Sequence, residues 1–316
     1  MPETVFISGI SGFLGQALAR RLLKGEFRIS GLARRPFALE RCQAIFADIR
    51  SPESYFAETS QAEIVIHLAA PTLAREIADR PLECLQVTVS GTLNLLEAFQ
   101  AGAGEHFLFF SSGKVYGRSA PPPFTEAEEL RPKTVLGRAK KVAEDLVRFF
   151  AEHSHKRFTI VRLFNAYGPG QRPGFLIPSI LEQVDKDSIT LGDITCRRDF
   201  IYVDDVTDAI CLLISGGSTR EPGGAAPTGQ LDVFNIGSGV SWSPAEIVST
   251  LAAVIGKQLL VRVDPSRQRT GEAAEEVADV SRLKALGWKP RVDLETGLGL
   301  TWKEWIDGAR SERSIV

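Results

Sequence analysis

An α/β fold, built on a doubly wound parallel sheet with a smaller second lobe, is what this sequence predicts, and three observations predict it. Short apolar runs alternate with stretches whose apolar residues recur at helical spacing. One such run, Val5-Phe6-Ile7-Ser8, leads straight into the glycine turn Gly9-x-x-Gly12-x-x-Gly15, and a helical pattern opens from that turn. Past Asn165 the alternation gives way to Gly/Pro-punctuated loops and shorter elements.

Each element follows in order. A helix is predicted over residues 13–23, with Gly25 near its end, and further strands over 28–33, 44–47, 63–68, 106–110 and 158–163. Long helical patterns near 81–101 and 136–153 separate the last three strands. Strands joined through helices pair in parallel, with helices on both faces, which is the Rossmann-type arrangement. The dinucleotide-binding domain is expected over 1–165, with a return segment near 200–238. A mixed α/β substrate lobe over 166–316 is expected to pack on the sheet's carboxyl edge. Residues 216–229 read as a Gly/Pro-rich surface loop.

Composition narrows the function classes. The 316 residues are 24% charged and 44% hydrophobic, an ordinary globular balance. A formal net charge of -2 gives no basic footprint, so nucleic acid is not an expected partner. No apolar run approaches the ~20 residues that span a bilayer. The first residues lack the basic segment of a signal peptide, and the four scattered cysteines read as reduced thiols. A cytoplasmic protein without a metal site is expected.

The glycine turn sits where a phosphate-binding motif must sit, between a strand and a helix. Missing side chains let the backbone approach a pyrophosphate, and the helix N-terminus supplies free N–H groups. A plain flexible turn is the alternative. After the second strand the chain reads Ala33-Arg34-Arg35-Pro36, with no carboxylate for ribose hydroxyls. Two guanidinium groups there suit the 2′-phosphate of NADP, although two solvated arginines would look the same, and NAD remains an alternative. Asp48-Ile49, after the third strand, are candidates for holding adenine, with a plain turn aspartate as the alternative.

Together these residues resemble the extended short-chain dehydrogenase/reductase family, in its NAD(P)-dependent nucleotide-sugar epimerase and dehydratase branch. The resemblance runs through the glycine turn, Asp48-Ile49, His67-Leu68-Ala69-Ala70, Gly91-Thr92-Leu93-Asn94 and Ser111-Ser112-Gly113-Lys114-Val115-Tyr116-Gly117. It continues through Arg162-Leu163-Phe164-Asn165, Arg198-Asp199-Phe200, Asn235-Ile236-Gly237 and Leu286-Gly287-Trp288. It implies cofactor contacts at Gly9, Gly12, Phe13, Leu14, Gly15, Asp48, Ile49, Leu68, Ala69, Ala70 and Lys140, which join Arg34 and Arg35, read above from their charge. It also implies that Ser112 bonds the sugar oxygen undergoing redox, and that Asn165, Arg198 and Arg269 hold the substrate's phosphates or sugar. Lys140 matches the lysine that holds the nicotinamide ribose. A homodimer through the helices near 81–101 and 136–153 is implied too, although their apolar faces suit packing within one chain equally well.

The sequence departs from this family at its central acid/base. A tyrosine is expected four residues before the lysine, one helical turn away. Here that position is Leu136, which has no proton to give. Ala139 replaces the serine before the lysine, and Thr88 stands where asparagine is common. Lys114 occupies the position of a catalytic glutamate in dehydratases of this family, and some inverting 4,6-dehydratases pair a lysine there with methionine for the tyrosine. Those enzymes carry an aspartate before that lysine, whereas this chain has Gly113. Lys114 is therefore a candidate acid/base, with a phosphate contact or a solvent-facing cation as the alternatives. Three functions follow: an NADP(H)-dependent 4-keto-sugar reductase; an epimerase or 4,6-dehydratase with Lys114 as substitute; or a catalytically silent binding protein.

Overall fold

Seven strands form the main sheet of the computed structural model, which describes residues 3–37, 39–117, 121–216, 229–267 and 273–313. In chain order they are β1 (Thr4–Ser8), β2 (Arg28–Ala33), β3 (Cys42–Phe46), β4 (Ile64–His67), β5 (His106–Ser112), β6 (Arg157–Leu163) and β7 (Gln230–Ile236). Their spatial order is β3-β2-β1-β4-β5-β6-β7, and every neighbouring pair is parallel. The direction of winding reverses between β1 and β4, and in such sheets the crevice beyond the strands' carboxyl ends at that switch takes the ligand.

Helices α1 (Phe13–Leu22), α2 (Gly91–Ala101), α3 (Val135–Glu152) and α4 (Val203–Ile214) belong to this unit. All four residues of β4 and the first six of β5 are buried, because helices cover both faces. One apolar layer joins Leu18 and Leu22 of α1, Ile210 and Leu213 of α4, and Val5 and Ile7 of β1. The opposite layer joins Leu95 and Phe99 of α2 and Val147 of α3 with Phe6, Phe107 and Phe158.

The second lobe has its own core, including Ile177, Ile180, Leu251 and Leu298, with helices α5 (Pro244–Ile255) and α6 (Leu294–Arg313) around it. Phe13 and Leu14 reach this core from α1, so the helix that opens from the glycine turn ties the lobes together. Strand Arg197–Tyr202 organises a small sheet: Asn165–Tyr167 and Glu275–Glu276 pair with it in parallel, and Ser241–Trp242 antiparallel. No helix of the described residues is long and apolar enough to cross a membrane.

One expected element differs. The single helix predicted near 81–101 consists of an α-helical piece (Pro81–Leu85), a wider π-helical turn (Gln86–Ser90) and α2. Within that turn the Thr88 carbonyl accepts from the Thr92 hydroxyl. Helical periodicity of apolar residues is blind to such a local widening.

Candidate active site

The glycine turn is held by contacts that only glycines permit. Gly9 has φ +76°, and a Cβ there would lie 2.9 Å from the Ala69 backbone. A Cβ on Gly15 would come within 2.4 Å of the Gly9 carbonyl oxygen and 2.7 Å of Ile10 Cα. Gly12 is the N-cap of α1 and offers no side chain to its first-turn N–H groups. The backbone thus forms a cradle with uncapped donors, and it fits a pyrophosphate. Since the atoms facing Gly15 are backbone and cannot yield, Gly15→Ala is expected to lose cofactor binding and to cost about 1–3 kcal/mol of stability. Calorimetric titration with the cofactor and urea unfolding check this, and two unchanged values would contradict it.

Behind the cradle lies a chain of buried hydrogen bonds whose proton positions follow from its end. Thr92 Oγ1 gives its hydrogen to the Thr88 carbonyl, so at 3.0 Å it accepts from His67 Nε2. His67 Nδ1 then accepts from Ser8 Oγ at 2.7 Å, and Ser8 Oγ accepts the Ala69 N–H at 3.2 Å. Burial, with the Lys140 charge adding to it, holds His67 well below its ordinary pKa, so the ring is neutral. His67 fixes the Leu68-Ala69-Ala70 wall and acts as no base.

At the other end of the cofactor track, Arg34 and Arg35 are exposed directly after β2 and make no hydrogen bond or ion pair among the described residues. Asp48 is already engaged: Arg50 donates to Oδ1 from Nε at 2.8 Å and to Oδ2 from Nη2 at 2.7 Å. These bonds hold the Asp48 carboxyl at about 2. Ile49 turns its side chain into the core, and its carbonyl accepts from Tyr55 Oη at 2.6 Å and from Asn94 at 3.1 Å. Of this candidate adenine pair, both carbonyls are taken, Asp48's by the Ser51 N–H at 2.9 Å, and the two backbone N–H groups make no bond among the described residues.

The substrate side gathers where β5 ends. Ser112 caps the short turn Gly113–Val115, its Oγ accepting the Lys114 N–H at 3.2 Å. Ser112, Lys114, Phe164, Asn165 and Glu276 line one open pocket. Lys114 Nζ donates to both Glu276 oxygens, at 3.0 and 2.8 Å, and Arg198 Nε lies 3.4 Å from the same carboxylate. Asn165 Nδ2 donates to the Asp199 carbonyl at 2.9 Å. Three predicted site residues, Ser112, Lys114 and Asn165, are thus together, and Arg198 reaches the same Glu276 oxygen, Oε2, that Lys114 bonds at 2.8 Å. Arg269 lies outside the described residues.

Glu276 is the residue that sequence reasoning missed. Its partner Lys114 is 162 positions away, and only the pairing of Glu275–Glu276 with Arg197–Tyr202 brings the two together. The one signal in the chain was the unmatched charge of Lys114 in a Ser-Ser-Gly-x-Val-Tyr-Gly block.

Leu136 and Lys140 lie one turn apart on α3, whose N-cap Thr134 accepts the Gly137 N–H at 3.1 Å. Leu136 packs with Ile77, Cys84 and Ala139 in a small apolar cluster. Lys140 is buried, with Nζ bonded to the Phe110 carbonyl and 4.7 Å above the Phe109 ring. Burial outweighs the pull of nearby Cys84 and Glu144 and brings its pKa down to about 8. Tyr116, the nearest phenol in sequence, is sealed in the core: its Oη donates to Asn235 Oδ1 at 2.6 Å, and burial raises it to about 12.

The profile of the NAD dependent epimerase/dehydratase family matches residues 5–237. The GDP-6-deoxy-D-mannose reductase of Pseudomonas aeruginosa is 32% identical over 326 aligned positions, covering 99% of this chain and 100% of that protein. Among solved structures, the UDP-glucose 4-epimerase of Thermotoga maritima with UDP-glucose superposes with a TM-score of 0.86 at 25% identity, covering 97% of this chain and 99% of that one. The RMD protein of Pseudomonas aeruginosa complexed with NADPH superposes with a TM-score of 0.80 at 29% identity, covering 98% and 99%.

Proposed function

Because the chain belongs to the NAD dependent epimerase/dehydratase family, we propose that it is an NADPH-dependent oxidoreductase that reduces the keto group of a nucleotide-linked 4-keto sugar. The observation that carries this reading is the Ser112–Lys114 turn, which places a hydroxyl and an ammonium in one pocket at the sheet's carboxyl edge. The end-to-end match to a reductase, and the likeness to a structure with NADPH, support the direction of the reaction and the cofactor.

The glycine cradle would hold the pyrophosphate, Arg34 and Arg35 the 2′-phosphate, and Lys140 the nicotinamide ribose. When bound, the reduced nicotinamide supplies a hydride to the carbonyl carbon. Ser112 Oγ already accepts from the Lys114 N–H, so its own hydrogen is available for the substrate's carbonyl oxygen. Lys114 gives that oxygen a proton as negative charge develops, the task Leu136 cannot perform. The Lys114 side chain is 24% exposed, so solvent restores the proton afterwards. Asn165, Arg198 and Arg269 would orient the sugar and its diphosphate.

The test is stoichiometry. Supplied with GDP- and dTDP-linked 4-keto-6-deoxy sugars, the enzyme is expected to oxidise one NADPH for each product formed. Product formed without NADPH consumption would instead mark an epimerase that retains its cofactor. Binding of both ligands without any product would mark a silent binding protein.

Cofactor choice has its own test. The double variant Arg34→Ala/Arg35→Ala is expected to weaken NADPH binding about 10–100-fold, since it removes charge-assisted bonds to the 2′-phosphate, and to leave NADH binding unchanged. Equal losses for both cofactors would contradict the assignment.

A homodimer is also proposed. Leu82, Leu85, Val142 and Phe149 are large apolar side chains left exposed on the helical run from Pro81 and on α3. Light scattering is expected to give twice the 34.5 kDa chain mass; a monomer at micromolar concentration would contradict it.

A further inference from the structure

The Lys114 ammonium ends a flexible four-carbon stem, and the hydrogen bonds its Nζ makes among the described residues both go to Glu276. Glu276, by contrast, is anchored. It ends a two-residue strand whose register puts its Cα opposite that of Arg198, and strand alternation turns its side chain into the pocket. The next carbonyl, that of Val277, accepts the Phe124 N–H at 2.8 Å, and the Ala278 N–H donates to Asp199 Oδ2 at 3.1 Å. Phe124 stacks on Tyr116, two positions beyond Lys114, with ring centroids 5.0 Å apart. The Glu276 residue is 6% exposed. We propose that Glu276 is the positioning residue for Lys114, a carboxylate fixed by the second lobe that holds the ammonium against the substrate's reacting oxygen. The proposal rests on the reductase reading above, in which Lys114 is the acid, and adds what places that lysine.

Geometry and charge carry it. The two Glu276 oxygens, at 3.0 and 2.8 Å, engage at most two of the three Nζ hydrogens, so at least one remains for a ligand in the pocket that Ser112 also lines. Arg198 Nε lies 3.4 Å from Oε2, the oxygen nearer Lys114. The carboxylate's charge is thus shared between two cations, and the cluster stays net positive. Glu276 therefore fixes where the ammonium sits without holding its proton for itself alone. Without the carboxylate, Lys114 and Arg198 are like charges converging on one space, and the flexible stem is the one that gives way. In the reaction the hydride forms the new C–H bond, the carbonyl π pair moves to oxygen, and Lys114 supplies that oxygen's proton. Glu276 makes and breaks no bond.

The test is a double-mutant cycle in the full chain, read by steady-state reduction of a nucleotide-linked 4-keto-6-deoxy sugar. Glu276→Ala is expected to lower kcat about 10–100-fold, the usual loss when a reacting group is misplaced, with KM changed much less and NADPH affinity unchanged. Added formate, a small carboxylate, is expected to restore part of that kcat. In the Lys114→Ala background the same substitution is expected to cost less than about twofold, because residues that act as a unit are not additive. Thermal unfolding establishes that each variant is folded. Glu276→Gln, of nearly the same size, is expected to show the same pattern with a smaller loss, since its amide carbonyl still accepts from Lys114. Undiminished kcat in both folded Glu276 variants overturns the proposal, and so does an equal further loss in Lys114→Ala. Those results beside an impaired Lys114→Ala sink the proposal alone. If Lys114→Ala itself turns over normally, the acid reading falls and the proposal with it.

Discussion

Replacing Lys114 with alanine is expected to lower kcat about 10²–10⁴-fold, the usual worth of general acid help, while the affinity for NADPH stays unchanged. The separation follows from position. Lys114 lies in the pocket with Ser112 and Glu276, whereas the cofactor cradle is built from the turn after β1 and the wall after β4. Ser112 remains in place in the variant, because it bonds the backbone N–H of residue 114 and not its side chain. Substrate thus still binds near the hydride donor and lacks only a proton source. Steady-state kinetics with the 4-keto sugar, alongside cofactor titration, reads both quantities. Partial recovery by a small added amine would assign the loss to the missing ammonium. Undiminished kcat would remove Lys114 from the chemistry.

The second large effect concerns stability. Arg162→Met is expected to destabilise the fold by about 3–5 kcal/mol, because it strips the buried Glu144 carboxylate of its two-bond partner and leaves it only Arg148 Nη2 at 3.4 Å and the Ser111 hydroxyl. Arg162 is 1% exposed and Glu144 fully buried; Nε meets Oε1 at 3.1 Å and Nη2 meets Oε2 at 2.8 Å. Burial works against the guanidinium's charge, but Glu144 more than offsets it and raises the Arg162 pKa. Ser111 Oγ donates to Glu144 at 2.6 Å, and Arg162 Nη1 donates to Tyr116 Oη at 3.1 Å. Those two residues bracket Ser112–Lys114, so the ion pair is the floor beneath the site. Urea unfolding measures the loss. The double variant Arg162→Met/Glu144→Leu should recover most of it, since an apolar pair of similar size avoids desolvating charge. A single variant as stable as the parent would contradict this account.

These expectations rest on features of unequal legibility. The strands were readable because parallel strands covered on both faces are continuous apolar runs, as in Val5-Phe6-Ile7 and Phe107-Leu108-Phe109. The glycine turn was readable because backbone contacts to Ala69 and Ile10 demand glycine at fixed spacing. The π turn at Gln86–Ser90 was not, since it alters hydrogen bonding without altering apolar spacing. Asp48 looked available because nothing in the chain says that Arg50 folds back on it with two bonds. The Lys114–Glu276 pair was out of reach for a related reason: its two halves belong to different lobes and meet only through the pairing of Glu276 with Arg198. Leu136 could be seen as a missing phenol, but not as a side chain packed with Ile77 and Cys84.

That last contact sharpens the central claim, that this chain reduces its substrate with Lys114 in place of a phenol. The most direct measurement uses NADPH carrying deuterium on the transferred position of the nicotinamide, incubated with a nucleotide-linked 4-keto-6-deoxy sugar. Mass spectrometry and NMR of the product are expected to show one deuterium at sugar C4 for each NADPH oxidised, with the signal nearly abolished in Lys114→Ala. Product without deuterium at C4, or full deuterium transfer in Lys114→Ala, would contradict the account.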